Sequence, residues 1–189
     1  MFFCTVMGQA AADADEAVVL GQFCDFVIVV RATNQDGTVS DLVTESWLRD
    51  HGMTRESLAL VPEKRPCWIR PLRDLVSPDL MEGEEADKAD EPVIMVGSTV
   101  SRPGANYGAS ILLDAPEQIH DLAVKEGCDL FVIPSSVHEV LFVPENQKLR
   151  PEDLAATVRE INPTIAPELR LSDHVYRYRL ADGAFEIAA

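Results

Sequence analysis

Four polar residues that stand close together between two apolar runs are the part of this sequence best suited to chemistry. Ser135, Ser136, His138 and Glu139 belong to the segment DLFVIPSSVHEVLFVP at 129–144. They supply a hydroxyl, an imidazole and a carboxylate, which are the groups that a hydrolase brings together around its nucleophile. The sequence therefore allows a small hydrolase or metal-dependent enzyme centred on His138.

The spacing of these residues favours a structural role over a catalytic one. The segment contains no GxSxG turn of the kind that exposes a serine nucleophile. If the segment is extended, Ser136 and His138 share one face, while Glu139 points to the other. Serine hydroxyls also bond to backbone groups in tight turns. We therefore expect a strand–turn–strand hairpin whose connection is fixed by these polar side chains, with no catalytic residue among them.

Further pairs of histidine with an acidic residue offer a second kind of site. His120 precedes Asp121, and His174 follows Asp173. The sequence that begins at His138, HEVLF, departs from the HExxH pattern in which two histidines bind zinc. Nothing in the spacing brings the three pairs together, and no GxGxxG or phosphate-binding loop follows a predicted strand. We predict neither a metal site nor a cofactor.

The four cysteines are typical of a reducing compartment. Cys4, Cys24, Cys67 and Cys128 are far apart and form no CxxC pair, whereas structural zinc sites use closely spaced pairs. The N-terminal residues lack the positively charged leader of a secretory signal. No apolar run approaches the roughly 20 residues that cross a bilayer. We expect a cytoplasmic protein with reduced thiols.

The acidic excess of the chain bears on its choice of partner. The formal net charge is -16, and it is densest at 79–91, where seven acidic residues stand against one lysine. Such a surface repels nucleic-acid phosphates and anionic membranes, and it attracts a protein with a basic surface. We predict no direct binding to nucleic acid or membrane. The predicted partner-binding residues are Glu82, Glu84, Glu85, Asp87, Asp90 and Glu91.

The alternation of aromatic and basic residues near the C-terminus has two interpretations. Tyr176, Arg177, Tyr178 and Arg179 could stack nucleic-acid bases between cations. An ordinary strand with alternating side chains explains the same pattern in an acidic chain.

The polar segment is predicted to lie within an α+β fold. Strands are expected at 23–31, 38–44, 93–100, 107–113, 130–133, 140–143, 174–180 and 184–187, with the main helices starting near Pro116, capped by Asp114, and covering 150–161. Short connections between strands require antiparallel pairing. We expect a mainly antiparallel sheet built from hairpins, with two or more amphipathic helices on one face.

The chain is expected to form one domain with two parts. Residues 1–78 are predicted to form an N-terminal αβ lobe and 92–189 a C-terminal α+β core. Between them, 79–91 shows no apolar period and is predicted to be an acidic mobile loop or linker.

Several segments resemble a known family. NYGASILL, DLFVIPSSVHEVLFVP, VREIN and LSDHVYRY, which lie between 106 and 178, are similar to domain-of-unknown-function family 5688. The resemblance covers roughly 26–178, apart from the acidic segment. It implies an origin in anaerobic gut bacteria and their mobile elements, near anti-restriction genes, and it implies no assigned activity.

These observations lead to a hypothesis with two alternatives. The leading hypothesis is a non-catalytic acidic protein-binding module of a mobile element or phage. It would act as an anti-defence inhibitor, anti-restriction or anti-CRISPR-like, that blocks a basic nucleic-acid-processing protein. The first alternative is the enzyme centred on His138. The second is an oligomeric scaffold that pairs through an exposed sheet edge, and the sequence leaves a homo-oligomer open.

Overall fold

The computed structural model describes residues 1–34, 40–58, 64–76, 92–100, 107–134 and 136–189. Its strands are β1 (Phe2–Gly8), β2 (Val19–Phe23), β3 (Phe26–Thr33), β4 (Ser40–Leu42), β5 (Cys67–Pro71), β6 (Met95–Thr99), β7 (Leu130–Ile133), β8 (Val140–Pro144), β9 (Tyr176–Tyr178) and β10 (Phe185–Ile187). Its helices are α1 (Gln9–Ala14), α2 (Glu45–Asp50), α3 (Arg55–Leu58), α4 (Ile111–Asp114), α5 (Pro116–Glu126) and α6 (Pro151–Ile161). Among these residues, no helix is both long and apolar enough to span a bilayer.

The N-terminal sheet is organised around β3. β1 pairs with one edge of this strand, and β2 and β4 pair with the other edge, all antiparallel. β3 is rich in β-branched residues, and Val27, Val29 and Val30 are buried, as expected for a strand covered on both faces. The pairing of β3 with β4 confirms the predicted hairpin. Within its predicted turn, residues 35–37 lie outside the described ranges.

The larger sheet has the strand order β10-β9-β7-β8-β6-β5, and all neighbouring strands are antiparallel. β7 and β8 form the predicted hairpin at its centre, where Phe131 pairs with Val143 and Ile133 pairs with Leu141. β9 and β10 form the predicted C-terminal hairpin at one edge. The predicted α+β class with antiparallel sheets is confirmed.

Helices cover both faces of the larger sheet, so the prediction that they lie on one face is wrong. Side chains alternate along β7, which directs Leu130 and Val132 to one face and Phe131 and Ile133 to the other. α5 packs into the core that contains the first pair, and α6 packs into the core that contains the second pair. All four residues of β7 are buried, and such a strand needs a cover on each side.

Residues 107–113 form no strand, contrary to the prediction. Gly108–Ser110 is a 3-10 turn that leads into α4. β6 already has β5 on one edge and β8 on the other, so it has no edge left for a returning strand. The backbone at Gly108 also approaches the loop after β7, because a Cβ built there would lie 1.9 Å from the carbonyl oxygen of His138.

Two of the features predicted for the ends of α5 are confirmed, and one is wrong. Pro116 occupies the first turn, and Gly127 ends the helix with a left-handed φ of +69°. Asp114 does not cap the helix, since Ala115 takes the capping position and no side chain bonds there. The Asp114 carboxylate is instead paired with Arg65.

The two sheets share one hydrophobic core. Val6 and Phe26 from the N-terminal sheet pack in the same cluster of buried residues as Leu130 and Tyr176 from the larger sheet. β5, which precedes the predicted boundary, is an edge strand of the larger sheet. The predicted boundary itself, 79–91, lies outside the described residues, and the division into 1–78 and 92–189 stays a prediction.

Candidate functional site

The polar segment between β7 and β8 is held as a turn by the Ser136 hydroxyl. Ser136 is buried, and its Oγ accepts the backbone N–H of His138 at 3.2 Å. The same hydroxyl donates to Oε1 of Glu139 at 3.2 Å. The chain turns here and is not extended, so the condition under which Glu139 would point away from Ser136 is not met. Ser135, the remaining candidate, lies outside the described residues.

This hydrogen bonding gives Ser136 a structural role. A serine nucleophile needs its hydroxyl directed to a general base and exposed to substrate. Here a buried hydroxyl is directed to a carboxylate three residues further on. Backbone bonds also fix the segment on both sides, because the Val137 N–H donates to the Leu169 carbonyl at 2.9 Å and the Val137 carbonyl accepts from Ala109 at 3.1 Å.

The histidines identified in the sequence lie in separate surroundings. His120 Nδ1 is 2.9 Å from the hydroxyl of Tyr178, and His174 Nδ1 is 3.3 Å from the carbonyl of Ala189. His138 is partly exposed on the β7–β8 turn, and its carbonyl accepts from the Ser98 hydroxyl at 3.1 Å. Within the described ranges, no group of three or more histidine, cysteine, aspartate or glutamate side chains is arranged to hold a metal ion.

The cysteines are all partly buried and free of disulfides. Burial raises the pKa of the Cys24 thiol to about 11, and the nearby Asp25 carboxylate adds to the shift. Burial also raises the pKa of Cys67 to about 11, with a further contribution from Asp114. Both thiols therefore stay protonated at neutral pH, whereas a cysteine nucleophile acts as the thiolate.

The alternating strand β9 offers no stacking platform for bases. Tyr176 and Tyr178 are buried, so their rings belong to the core. Arg177 pairs with Glu145 at 2.6 Å, and Arg179 pairs with Glu186 at 2.8 Å. The interpretation as an ordinary strand is the one that these contacts support.

A cavity of about 180 Å³ lies beside the polar turn. Its walls come from β1, β3, the residue after α1, the 3-10 turn at Pro167–Leu169 and the β7–β8 connection. The lining residues are Thr5, Val6, Met7, Asp15, Arg31, Tyr107, Val137, Glu168 and Leu169. The polar turn thus contributes Val137 to a cavity wall. Sequence reasoning missed this site because its residues come from distant segments with no common motif.

Two arginines and two aromatic rings form a stack next to the cavity. The Arg31 guanidinium carbon lies 3.9 Å from the centre of the Tyr107 ring. The rings of Tyr107 and Phe3 are 6.1 Å apart, and the Arg65 guanidinium carbon lies 4.2 Å from the centre of the Phe3 ring. Both guanidinium groups keep a buried nitrogen, Nε in Arg31 and Nη1 in Arg65, with no hydrogen-bond partner in the described part of the chain.

Arg65 is held by a buried carboxylate. Its Nε donates to Oδ2 of Asp114 at 3.1 Å, and its Nη2 donates to the Tyr107 carbonyl at 3.1 Å. Burial raises the pKa of Asp114 although the charge of Arg65 opposes the shift. Burial lowers the pKa of Arg65, against the charge of Asp114. Burying this ion pair therefore costs desolvation free energy, and removing either charge would leave the other one buried without a counter-ion.

Residues that the sequence proposed for partner binding lie outside the described ranges. These residues are Glu82, Glu84, Glu85, Asp87, Asp90 and Glu91. Their role stays a prediction.

The chain belongs to the family of unknown function DUF5688, whose model matches residues 13–180. The match confirms the resemblance that the polar segment and its neighbours indicated. No curated protein and no solved structure matches the chain. The family description assigns no activity to these residues.

Proposed function

We propose that this chain is a non-catalytic, acidic protein-binding module whose partner has a basic surface. The observation that carries the proposal is the net charge of -16. A surface of this sign attracts basic proteins and raises their association rate. The finer proposal is an anti-defence inhibitor of a mobile element or phage that blocks a basic nucleic-acid-processing protein.

The distribution of ion pairs supports the proposal. Among the described residues, seven basic side chains form ion pairs with acidic residues of the same chain, most of them at the surface: Arg55, Arg65, Arg73, Lys125, Arg150, Arg177 and Arg179. Exposed acidic residues that form no ion pair with a described residue include Asp41, Asp50, Glu117, Asp121, Glu152 and Glu160. These acidic groups are therefore presented to solvent without a counter-ion in the described part of the chain, while part of the positive charge is compensated within the chain.

The role of Ser136 supports the non-catalytic part of the proposal. Its hydroxyl accepts from His138 and donates to Glu139, so it ties the turn together. Two of the groups that first suggested a hydrolase, the Ser136 hydroxyl and the Glu139 carboxylate, are thus bonded to each other in the turn.

The direct test is a binding titration against purified basic nucleases from restriction and CRISPR systems. Binding is measured by calorimetry at low and at physiological salt, and nuclease inhibition is measured alongside. We expect binding that weakens as salt rises, because exposed charges are screened. Light scattering on the same samples gives the molar mass of the particle in solution. It shows whether the chain self-associates, as an oligomeric scaffold would.

Two variants that each remove six negative charges distinguish binding through one defined surface from general electrostatic attraction. The first replaces Glu82, Glu84, Glu85, Asp87, Asp90 and Glu91 by their amides. The second replaces Asp41, Asp50, Glu117, Asp121, Glu152 and Glu160 by their amides. We expect the first variant to lose binding and the second to retain it. Equal losses in both would reject the assignment of the segment 79–91, and no binding of any basic nuclease at low salt would reject the proposed function.

A further inference from the structure

The larger sheet ends at β5, whose outer edge carries no strand in the described part of the chain. Backbone bonds at both ends of β5 show which residues face β6. The Val100 N–H donates to the Pro66 carbonyl at 2.6 Å, and the Leu72 N–H donates to the Ile94 carbonyl at 2.8 Å. Backbone groups alternate in direction along an antiparallel strand. In this register the even-numbered residues bond to β6, and the odd-numbered residues direct their backbone groups away from the sheet.

The outward row of β5 consists of Cys67, Ile69 and Pro71. Proline has no N–H, and the Cys67 carbonyl accepts the side-chain amide of Gln118 at 3.5 Å. The groups that remain are the N–H of Cys67, both backbone groups of Ile69 and the carbonyl of Pro71. None of them bonds to a described residue. Two donors thus lie toward the start of the row and two acceptors toward its end.

This row is complementary to a second copy of itself. When two β5 strands lie antiparallel with Ile69 opposite Ile69, these two residues exchange N–H···O=C bonds. Each Cys67 N–H then faces the carbonyl of the partner's Pro71. Every remaining donor and acceptor of the row obtains a bond in this single arrangement, and unpaired backbone groups of an edge strand are what such pairing requires.

The position opposite Cys67 favours a second copy over an unrelated extended peptide. Because Gln118 already bonds to the Cys67 carbonyl, an N–H placed opposite would compete with it for that acceptor. A donor that loses this competition in an interface costs free energy. In the antiparallel pair the residue opposite is the partner's Pro71, which has no N–H to satisfy.

The side chains on the other face of β5 fit the same register. Trp68 is partly exposed and belongs to none of the core clusters of the described residues. The guanidinium carbon of Arg70 lies 5.5 Å from the centre of its ring. In the antiparallel pair Trp68 lies opposite the partner's Arg70, at a position where Cα atoms are about 4.5 Å apart. Each ring then gains a second guanidinium, and cation–π contacts of this kind are favourable.

We propose that two copies of this chain form a two-fold dimer by pairing their β5 strands antiparallel around Ile69. The pairing joins the two larger sheets into one. Both copies use the same edge, so the assembly closes at two chains, whereas pairing through different edges would continue to grow. The dimer does not depend on the proposed protein-binding function, because it involves a different partner and a different surface.

The first experiment measures the molar mass of the full chain by light scattering over a range of concentration and salt. We expect a limiting mass of twice the 20.8 kDa of one chain. Each copy carries a net charge of -16, and salt screens the repulsion between them. The dimer should therefore tighten as salt rises, opposite to the dependence expected for a basic partner. The mass of one chain at every concentration into the millimolar range, or growth beyond two chains, would overturn the proposal.

Proline variants at the two edges of the sheet locate the interface. Ile69→Pro removes an outward N–H from each copy and leaves the bonds to β6 in place, so we expect the dimer Kd to rise at least tenfold. The matched control is Ile187→Pro on β10. The Ala188 N–H bonds to the Val175 carbonyl, so the N–H of Ile187 also points away from the sheet. We expect the control to keep the Kd of the parent chain, and an equal rise in both variants would reject the β5 interface.

Cross-linking tests the register and remains decisive if Ile69→Pro does not fold. Trp68→Cys and Arg70→Cys chains are purified separately in reduced form and mixed before oxidation. Positions 68 and 70 of two copies lie opposite each other at about 4.5 Å in the proposed pair, within the Cα separation of roughly 4.4–6.8 Å that a disulfide needs. We expect a covalent dimer in the mixture, and little in either variant alone or in the parent chain. No covalent dimer in the mixture, or equal yields in all samples, would reject the antiparallel pairing around Ile69.

Discussion

Tyr176 and Asp25, which are 151 positions apart in the chain, are joined by a hydrogen bond from the phenol to the carboxylate. Asp25 lies in the short turn between β2 and β3, and Tyr176 begins β9, so the bond connects the two sheets. Ser172 completes the network, because its hydroxyl donates to the other carboxylate oxygen at 3.0 Å and lies 2.8 Å from the Tyr176 hydroxyl. Ser172 and Tyr176 are buried and Asp25 is exposed, so the network ties two buried hydroxyls to a carboxylate at the surface. A polar network in which each member has a partner favours one arrangement of the elements around it.

The first prediction is that Tyr176→Phe destabilises the chain by about 1.5–3 kcal/mol, the usual contribution of a hydrogen bond to a charged group. Burial raises the pKa of Tyr176, and the bond to Asp25 adds to the shift, so the phenol remains a donor at all ordinary pH values. The measurement is urea unfolding at pH 7. Tyr178→Phe is the control, since its hydroxyl bonds to the imidazole of His120 and its loss should cost only about 0.5–1.5 kcal/mol. If both variants lost the same free energy of unfolding, the bond from Tyr176 to the Asp25 carboxylate would contribute no more than the bond between Tyr178 and His120.

The second prediction concerns the close approach of two backbones at Gly108. A Cβ at this position would lie 1.9 Å from both the His138 carbonyl oxygen and the Ser98 hydroxyl oxygen. Gly108→Ala must displace one of these groups and break the bond between them, so we expect a loss of at least about 1–3 kcal/mol in the free energy of unfolding. Gly21→Ala is the control in thermal or urea unfolding, because its Cβ would meet Ile28 at an ordinary 3.7 Å. A Gly108→Ala protein as stable as the control would show that the β7–β8 turn can move freely.

The local parts of the fold could be predicted because each carries its own pattern. The hairpin of β7 and β8 has two apolar runs around a polar turn, and α5 has an apolar stripe between a first-turn proline and a terminal glycine. The segment 107–113 was assigned wrongly because a short apolar run fits a strand or a buried helical turn equally well. Its true conformation depends on the edges of β6, which only the assembled sheet defines.

The candidate site could not be predicted, because it is made by distant segments. Arg31 lies in β3, Tyr107 directly precedes the 3-10 turn Gly108–Ser110, and Glu168 lies on a short 3-10 turn far along the chain. The one signal in the sequence is a charged residue at the end of the run FVIVVR, and many strands end in this way. The role of Ser136 was predicted correctly as a turn-fixing one, since serine in a tight turn has a known local use.

The third prediction is that Asp114→Asn destabilises the chain by about 3–5 kcal/mol, because it leaves the Arg65 charge buried without its counter-ion. The Arg65 and Asp114 side chains are only 15% and 5% exposed, and Nη1 of Arg65 already lacks a described partner. Urea unfolding at pH 7 measures the loss. The control is the double variant Arg65→Met/Asp114→Leu, which removes both charges and should recover most of the lost stability. A double variant no more stable than Asp114→Asn would show that packing, rather than the unpaired charge, sets the cost.

The fourth prediction is that the free energy of unfolding falls as the pH rises from about 9 to about 11. The thiols of Cys24 and Cys67 have pKa values of about 11 in the folded chain because of burial, against 9.0 for an ordinary cysteine. In this window the folded state holds protons that the unfolded state releases, so a rise in pH favours unfolding. Below pH 9 both states are protonated, and the contribution of the thiols is fully present. Urea unfolding at pH 8, 9 and 10 measures the slope, and Cys24→Ala/Cys67→Ala should flatten it between pH 9 and pH 10. If the double variant kept the slope of the parent chain, another group would have to be responsible for the pH dependence.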